Sequence, residues 1–126
     1  NNNNNNNNNN SVNDIRTSFC RRVFRSLIKG SGPFVNSLSL RCAYIGFEAM
    51  QINGGGYTVA CKEAKDFLKN DQMNLRLWNA YANLQKAYEK PKEASKVVKK
   101  ALFLLPKLSQ KNQRNAPMLF WTLAEL

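Results

Sequence analysis

The sequence predicts an all-α protein, specifically an α-solenoid of antiparallel helical hairpins. Three observations lead to this prediction. Apolar residues recur three and four positions apart in successive segments, these segments end at Gly, Pro or polar breaks, and a Leu-x-x-Ala-Tyr pattern returns after about 40 residues. One hairpin cannot bury its apolar face alone, so hairpins that repeat at this period stack. The alternative is an irregular helical bundle with chance self-similarity.

The first predicted element follows a run of ten asparagines. Residues 1–10 are predicted to be a disordered tail, because the run has no apolar side chain to bury. Residues 11–30 are predicted to be a basic amphipathic helix that is capped by Ser11 or Asn13 and ends at Gly30. We expect its apolar side to pack on the next helix, although binding to a membrane surface or a phosphate backbone are alternatives. That side consists of Ile15, Phe19, Val23, Phe24, Leu27 and Ile28.

Residues 37–70 are predicted to form the first helical hairpin repeat. Its first helix carries Leu40, Tyr44, Phe47 and Met50 along one face. Its second helix covers about residues 58–69. The inward face of that helix is formed by Val59 or Ala60, Ala64, Phe67 and Leu68. Three consecutive glycines between the helices predict a flexible connection rather than a nucleotide-binding loop, because no strand precedes them.

Residues 75–106 are predicted to form the second hairpin repeat. In its first helix, a stripe of apolar and aromatic side chains is flanked by Trp78, and Pro91 suits the first position of the helix that follows. The stripe consists of Leu77, Tyr81, Leu84 and Tyr88. Small alanines in the second helix allow two helices to approach closely. The inward face of this helix is Ala94, Val97, Val98, Ala101, Leu102 and Leu105.

Self-comparison of the sequence supports a repeat. At an offset of 37 residues Tyr44 falls on Tyr81, and at an offset of 43 Trp121 falls on Trp78. Residues 116–126 are therefore predicted to be the start of a third, truncated repeat. The side chains predicted to pack the repeats are Tyr44, Phe47, Trp78, Tyr81, Leu84, Ala94, Val97, Ala101 and Trp121.

The pattern Trp-x-x-Tyr-Ala-x-Leu, followed by a helix with spaced alanines, resembles the half-a-TPR (HAT) repeat of eukaryotic RNA-processing scaffolds. The matching residues are Trp78, Tyr81, Ala82, Leu84, Ala94, Lys96, Val97 and Ala101. More narrowly, residues 61–105 resemble the nuclear RNAi-defective-two family, with Gln85 standing where that family has Glu. The resemblance implies a nuclear α-solenoid that acts through proteins of RNA surveillance, splicing or small-RNA-directed silencing.

The composition argues against catalysis, cofactors and metals. The chain has no histidine, and its three cysteines are widely spaced, so a general base, a zinc site and a disulfide framework lack their usual residues. Asp66 and Asp71 are candidates for paired carboxylates, but their position among lysines around a helix end favours a solvated cap instead. We expect a protein that is not an enzyme, without cofactor, catalytic or metal-binding residues, and with no small-molecule substrate.

Charge indicates the class of partner. The formal net charge is +11, and residues 86–114 contain nine basic residues against two acidic ones. This imbalance favours an acidic partner, protein or RNA. The candidate contact residues are Arg21, Arg22, Arg25, Lys92, Lys96, Lys99 and Lys100.

The sequence contains neither an apolar run of membrane-spanning length nor a signal peptide, so we expect a cytosolic or nuclear protein without membrane contact. With the resemblance, we expect a nuclear, noncatalytic interaction scaffold for protein partners in RNA processing, RNA surveillance or RNAi-mediated gene silencing. The alternative is direct RNA binding through the basic helix faces.

Overall fold

The computed structural model describes residues 4–51 and 56–126, and within these ranges every regular element is a helix. The predicted all-α class is confirmed. The helices are α1 (Asn4–Lys29), α2 (Leu38–Ala49), α3 (Gly56–Asn70), α4 (Leu75–Ala87), α5 (Pro91–Phe103), a 3₁₀ turn (Leu105–Lys107), α6 (Gln110–Gln113) and α7 (Ala116–Ala124). The chain divides into two compact units, residues 1–40 and 41–126, with the division inside α2.

Helix α1 begins earlier than predicted. It includes Asn4–Asn10, which differs from the disordered tail predicted for residues 1–10, and residues 1–3 lie outside the described part. Extending an existing helix fixes one residue for each added hydrogen bond, so a polar residue of modest helix propensity can continue it.

The apolar side of α1 is also more exposed than predicted. Ile15 is 69% exposed, and Phe19, Val23 and Leu27 are exposed as well. The less exposed line of this helix is displaced from that stripe. It runs through Thr17, Arg21, Phe24 and Ile28, at spacings of four, three and four residues.

Helix α3 begins at a glycine for a steric reason. A Cβ atom at Gly56 would collide with the backbone carbonyl oxygen of Gln51, so only glycine fits this close approach. The predicted flexible connection falls mostly on residues 52–55, which lie outside the described part. Once started, α3 packs against α4 and buries Ala60, Ala64 and Phe67.

Helices α4 and α5 form a tightly packed hairpin. Asn74 caps α4 by accepting hydrogen bonds from the backbone N–H groups of Arg76 and Leu77. The three-residue turn after α4 contains Glu89 in the left-handed region, with φ 54°. Pro91 then occupies the first turn of α5, where no N–H donor is needed. The buried side chains of α5 are Ala94, Val98 and Ala101, so the two backbones approach closely.

Helix α2 contacts α3 through an aromatic pair and an ion pair. The Tyr44 ring meets the edge of the Phe67 ring with centroids 6.3 Å apart. The Arg41 guanidinium lies 3.5 Å from the Asp71 carboxylate, just beyond the end of α3. Asp71 also accepts a hydrogen bond from the Asn74 side chain at 3.0 Å, which connects this ion pair to the cap of α4.

Helix α7 packs on both α4 and α5. Leu119 is fully buried, and the Thr122 hydroxyl donates to Asn79 Oδ1 on α4 at 2.7 Å. Further along, Lys86 of α4 and Glu125 form an ion pair at 2.6 Å. Within the second unit, α4 therefore packs against α3, α5 and α7.

Candidate protein-interaction groove

An open groove lies where α3, α4 and α5 meet, with a volume of about 510 Å³. We call it the α3–α5 groove. It is lined by Lys65, Leu68, Lys69, Gln72, Trp78, Tyr81, Glu93, Lys96, Val97, Lys100 and Leu104. Because each of the three helices contributes, the groove exists only when the hairpin and α3 are packed together.

The floor of the groove contains two aromatic residues of α4. Trp78 is only 7% exposed, and its indole Nε1 donates to the backbone carbonyl of Gln72 at 2.8 Å. The ammonium of Lys100 lies 5.8 Å from the centroid of the indole ring, a favourable cation–π placement. Tyr81 lies one turn further along α4 and is also buried. Both rings therefore support the groove from below.

The walls carry lysines on both sides, Lys65 and Lys69 from α3 and Lys96 and Lys100 from α5. Lys69 lies 3.5 Å from Asp66, and Lys96 lies 2.8 Å from Glu93. The hydrogen bond from Lys96 lowers the pKa of the Glu93 carboxyl. Among the described residues, Lys65 and Lys100 have no carboxylate partner. The walls thus retain an excess of positive charge.

A second depression of about 650 Å³ shares Lys65, Lys69, Tyr81 and Glu93 with the groove. Tyr57 lines this depression, and the Lys90 ammonium lies over its ring, 4.3 Å from the centroid. The two depressions therefore make a continuous basic surface along α3.

Gln85 ties α3 to α4 beneath this surface. Its side chain is buried. The amide oxygen Oε1 accepts a hydrogen bond from the Tyr57 hydroxyl at 2.6 Å, and the amide nitrogen Nε2 donates one to the Cys61 sulfur at 3.2 Å. A glutamate at this position would carry no N–H for the sulfur and would place a charge among buried groups. An amide at position 85 therefore has a local physical reason.

Replacing Gln85 by Met should lower the free energy of unfolding by about 1 to 2 kcal/mol, because the shape is nearly kept while the Tyr57 hydroxyl loses its acceptor. Asn83→Ala on the exposed side of the same helix is the matched control and should change stability by less than about 0.5 kcal/mol. Urea denaturation followed by circular dichroism measures both. Equal stability of Q85M and the parent chain would show that this hydrogen-bonded tie contributes nothing.

The buried Tyr81 predicts a loss of stability in alkali. Burial is the main cause that raises the pKa of its phenol from 10.0 to about 12. Below pH 10 both states hold the proton; above it the unfolded chain ionises first, so this contribution to stability is lost as the pH rises towards 12. Tyr81→Phe should therefore lose less stability than the parent chain between pH 9 and pH 12 in urea titrations. An identical loss in the two proteins would contradict this assignment.

The structure brings most predicted packing residues into the second unit's interior. The buried ones are Tyr44, Trp78, Tyr81, Leu84, Ala94 and Ala101, while Phe47 and Val97 are half-buried. Trp121 departs from its predicted packing role because it is 70% exposed. Helix α7 turns Leu119 and Thr122 inward, which leaves the indole outside, where its Nε1 donates to Glu125 at 2.7 Å. Met50, predicted to share one helix face with Leu40, Tyr44 and Phe47, lies just beyond the end of α2 and is exposed.

The predicted contact residues fall into two separate groups. Arg21 is half-buried and Arg22 and Arg25 are exposed, all three on α1 in the first unit. The four lysines of α5 are exposed, but only Lys96 and Lys100 line the groove, whereas Lys92 and Lys99 lie outside it.

The lysines of α3 that line the groove, Lys65 and Lys69, are not among the contact residues predicted from the sequence. Lys62, Lys65 and Lys69 recur on α3 at spacings of three and four residues, and this spacing was the available signal.

The described residues do not form an evident reaction centre. Asp66 and Asp71 have separate roles, one beside Lys69 and the other between Arg41 and Asn74. Within residues 4–51 and 56–126, no three His, Cys, Asp or Glu side chains cluster as metal ligands would. None of the helices described there combines the length and apolar character needed to cross a bilayer.

Comparison with known proteins gives no relative for this arrangement. No protein-family model, no curated protein sequence and no solved structure matches the chain.

Proposed function

We propose that this chain is a noncatalytic protein-interaction scaffold made of stacked helical hairpins, part of a nuclear factor of RNA processing, RNA surveillance or RNAi-mediated silencing. The observation that carries the proposal is the packing of α7 on the α4/α5 hairpin. Asn79 and Thr122, which hydrogen-bond to each other, are equivalent under the 43-residue offset that relates Trp78 to Trp121. Packing of each unit on its neighbour is what stacked repeats produce. The equivalence does not extend to burial, because Trp78 is buried whereas Trp121 is 70% exposed.

The resemblance to HAT repeats supports the nuclear and RNA-processing part of the proposal. Its key side chains are found at the helix contacts of the second unit, with Trp78 and Tyr81 buried on α4 and Ala94 and Ala101 buried on α5. These positions serve packing, so they support a hairpin scaffold and leave its lysine-rich exterior to meet partners.

Direct RNA binding is the second candidate function. It is favoured by the four exposed lysines of α5, because phosphate neutralisation needs only accessible cations. At the α3–α5 groove and the neighbouring depression it is disfavoured, since Trp78 and Tyr57 each have a lysine over the ring and leave little face on which a base could stack. The most exposed rings of the second unit, Phe103, Phe120 and Trp121, do not line the groove.

Affinity capture from nuclear extract tests the proposed function. The tagged chain should retain proteins of RNA processing, and treatment with ribonuclease should leave them bound. Trp121→Ala should capture the same proteins, whereas the destabilised Trp78→Ala should lose them. Loss of all captured proteins after ribonuclease would contradict the scaffold function and favour the RNA alternative, which anisotropy of a labelled single-stranded RNA at two salt concentrations then examines directly.

A further inference from the structure

We propose that the α3–α5 groove binds an acidic, amphipathic segment of a protein partner. The inference rests on the proposed scaffold function and names the surface and the chemistry of the partner. The segment would place acidic side chains against the two lysine walls and an apolar side chain on the floor between them.

Charge complementarity is the first reason. Lys65 on α3 and Lys100 on α5 face the groove from opposite walls, and neither has a carboxylate partner among the described residues. Lys69 and Lys96 add charge on the same two walls, and both are largely exposed within their ion pairs. A ligand with carboxylates along both edges would neutralise both walls at once.

The apolar floor is the second reason. Val97 and Leu104 are half-buried on the α5 side of the groove, and the buried Leu68 and Trp78 line the same groove. A volume of about 510 Å³ lies within the range of natural ligand sites, roughly 300–1,000 Å³. Apolar anchors with polar residues around them are how an amphipathic helix occupies a groove.

A nucleic acid fits the same groove less well. Phosphates would satisfy the lysines, but bases need exposed aromatic faces, and Trp78 is 7% exposed beneath the Lys100 ammonium. Aliphatic lining residues such as Val97 and Leu104 offer bases no hydrogen bonds. An acidic peptide uses both the walls and the floor, so it is the occupant that the groove favours.

The test uses a fluorescein-labelled peptide of about 14 residues, roughly four helical turns, with leucines spaced three and four apart and glutamates elsewhere. Its matched control has glutamine in place of every glutamate. Fluorescence anisotropy should show that the complete chain binds the acidic peptide, that affinity falls as salt rises, and that the glutamine peptide binds at least about tenfold more weakly.

Two charge-matched double variants locate the site. Lys65→Glu with Lys100→Glu reverses both walls and should weaken binding by about tenfold or more. Lys92→Glu with Lys99→Glu makes the same change of net charge outside the groove and should weaken it by less than about threefold. All four lysines are exposed, so both variants should keep the parent's circular dichroism spectrum. The groove variant also loses the Lys100 ammonium over the Trp78 ring, so its Tm should fall by a few degrees at most.

Equal weakening by the two double variants, or equal binding of the acidic and glutamine peptides, would overturn the proposal. So would a single-stranded RNA that binds more tightly than the acidic peptide and is lost only with the groove variant. These results are separable from the scaffold function itself. If nuclear proteins remain captured by the Lys65/Lys100 variant, the scaffold stands and its interaction surface lies elsewhere, whereas failure of the parent chain to capture any protein removes the function.

Discussion

Trp78→Ala should lower the free energy of unfolding by about 3 to 4 kcal/mol. The indole is 7% exposed, and removing it leaves a cavity at the meeting point of α3, α4 and α5. It also removes the hydrogen bond to the Gln72 carbonyl. Because the free energy of unfolding of a small domain is only about 5–15 kcal/mol, this one change removes a large part of it. Urea denaturation followed by far-ultraviolet circular dichroism measures it.

The second tryptophan provides the matched control. Trp121 is 70% exposed, so Trp121→Ala removes the same atoms without opening a cavity and should cost less than about 1 kcal/mol. The loss of unfolding free energy should therefore be at least about three times larger for Trp78→Ala than for Trp121→Ala. Comparable losses for the two variants would contradict the assigned packing of α4 against α5.

Leu119→Ala should cost about 3 kcal/mol, because Leu119 is fully buried where α7 meets α4 and α5. A local effect is expected in addition to this loss of global stability. With its anchor reduced, α7 should separate first and expose the connection at residues 108–115 to proteases under native conditions. Limited proteolysis with mass spectrometry measures that cleavage alongside the urea curve.

Phe120 supplies the comparison for this second change, since it is adjacent in sequence but 54% exposed. Phe120→Ala should leave the cleavage rate near that of the parent chain. If Phe120→Ala accelerates cleavage as much as Leu119→Ala, the inward face of α7 has been assigned to the wrong residues.

The helices of the second unit could be predicted because their local signals agree. Pro91 marks the start of α5 where the structure places it, and the apolar residues within α4 and within α5 recur at the helical period. The beginning of α1 could not be read this way. An asparagine run carries no periodicity, so the sequence gives no signal for a helix that extends back to Asn4.

Spacing alone could not separate Trp78 from Trp121. Both follow a leucine or phenylalanine at the start of a similar pattern, yet only Trp78 lies beneath α5. In α7 the neighbouring line of Leu119 and Thr122 faces inward instead, and a helix of nine residues contains too few turns to define its buried face from sequence.

Only the α5 side of the groove could be predicted from the sequence. The lysines of α5 are evident as a local excess of charge, but their partition into groove and outer surface depends on where α3 packs. The wall formed by Lys65 and Lys69 is remote in sequence from Lys96 and Lys100. Likewise, the role of Gln85 depends on Tyr57 and Cys61, both more than 20 residues away. Such sites depend on contacts between residues that are remote in sequence, so the pattern within a single helix does not predict them.

The most direct measurement of the central claim is nuclear magnetic resonance of the two indole N–H groups while the acidic peptide is added to the isotope-labelled chain. The Trp78 N–H donates to Gln72 at the groove floor, whereas the Trp121 N–H donates to Glu125 outside it, so one spectrum contains both the reporter and its control. Trp121→Phe assigns the signals. A shift of the Trp78 signal that saturates with the peptide, with the Trp121 signal unchanged, is the predicted result. A shift of the Trp121 signal alone, or of neither, would contradict binding in the α3–α5 groove.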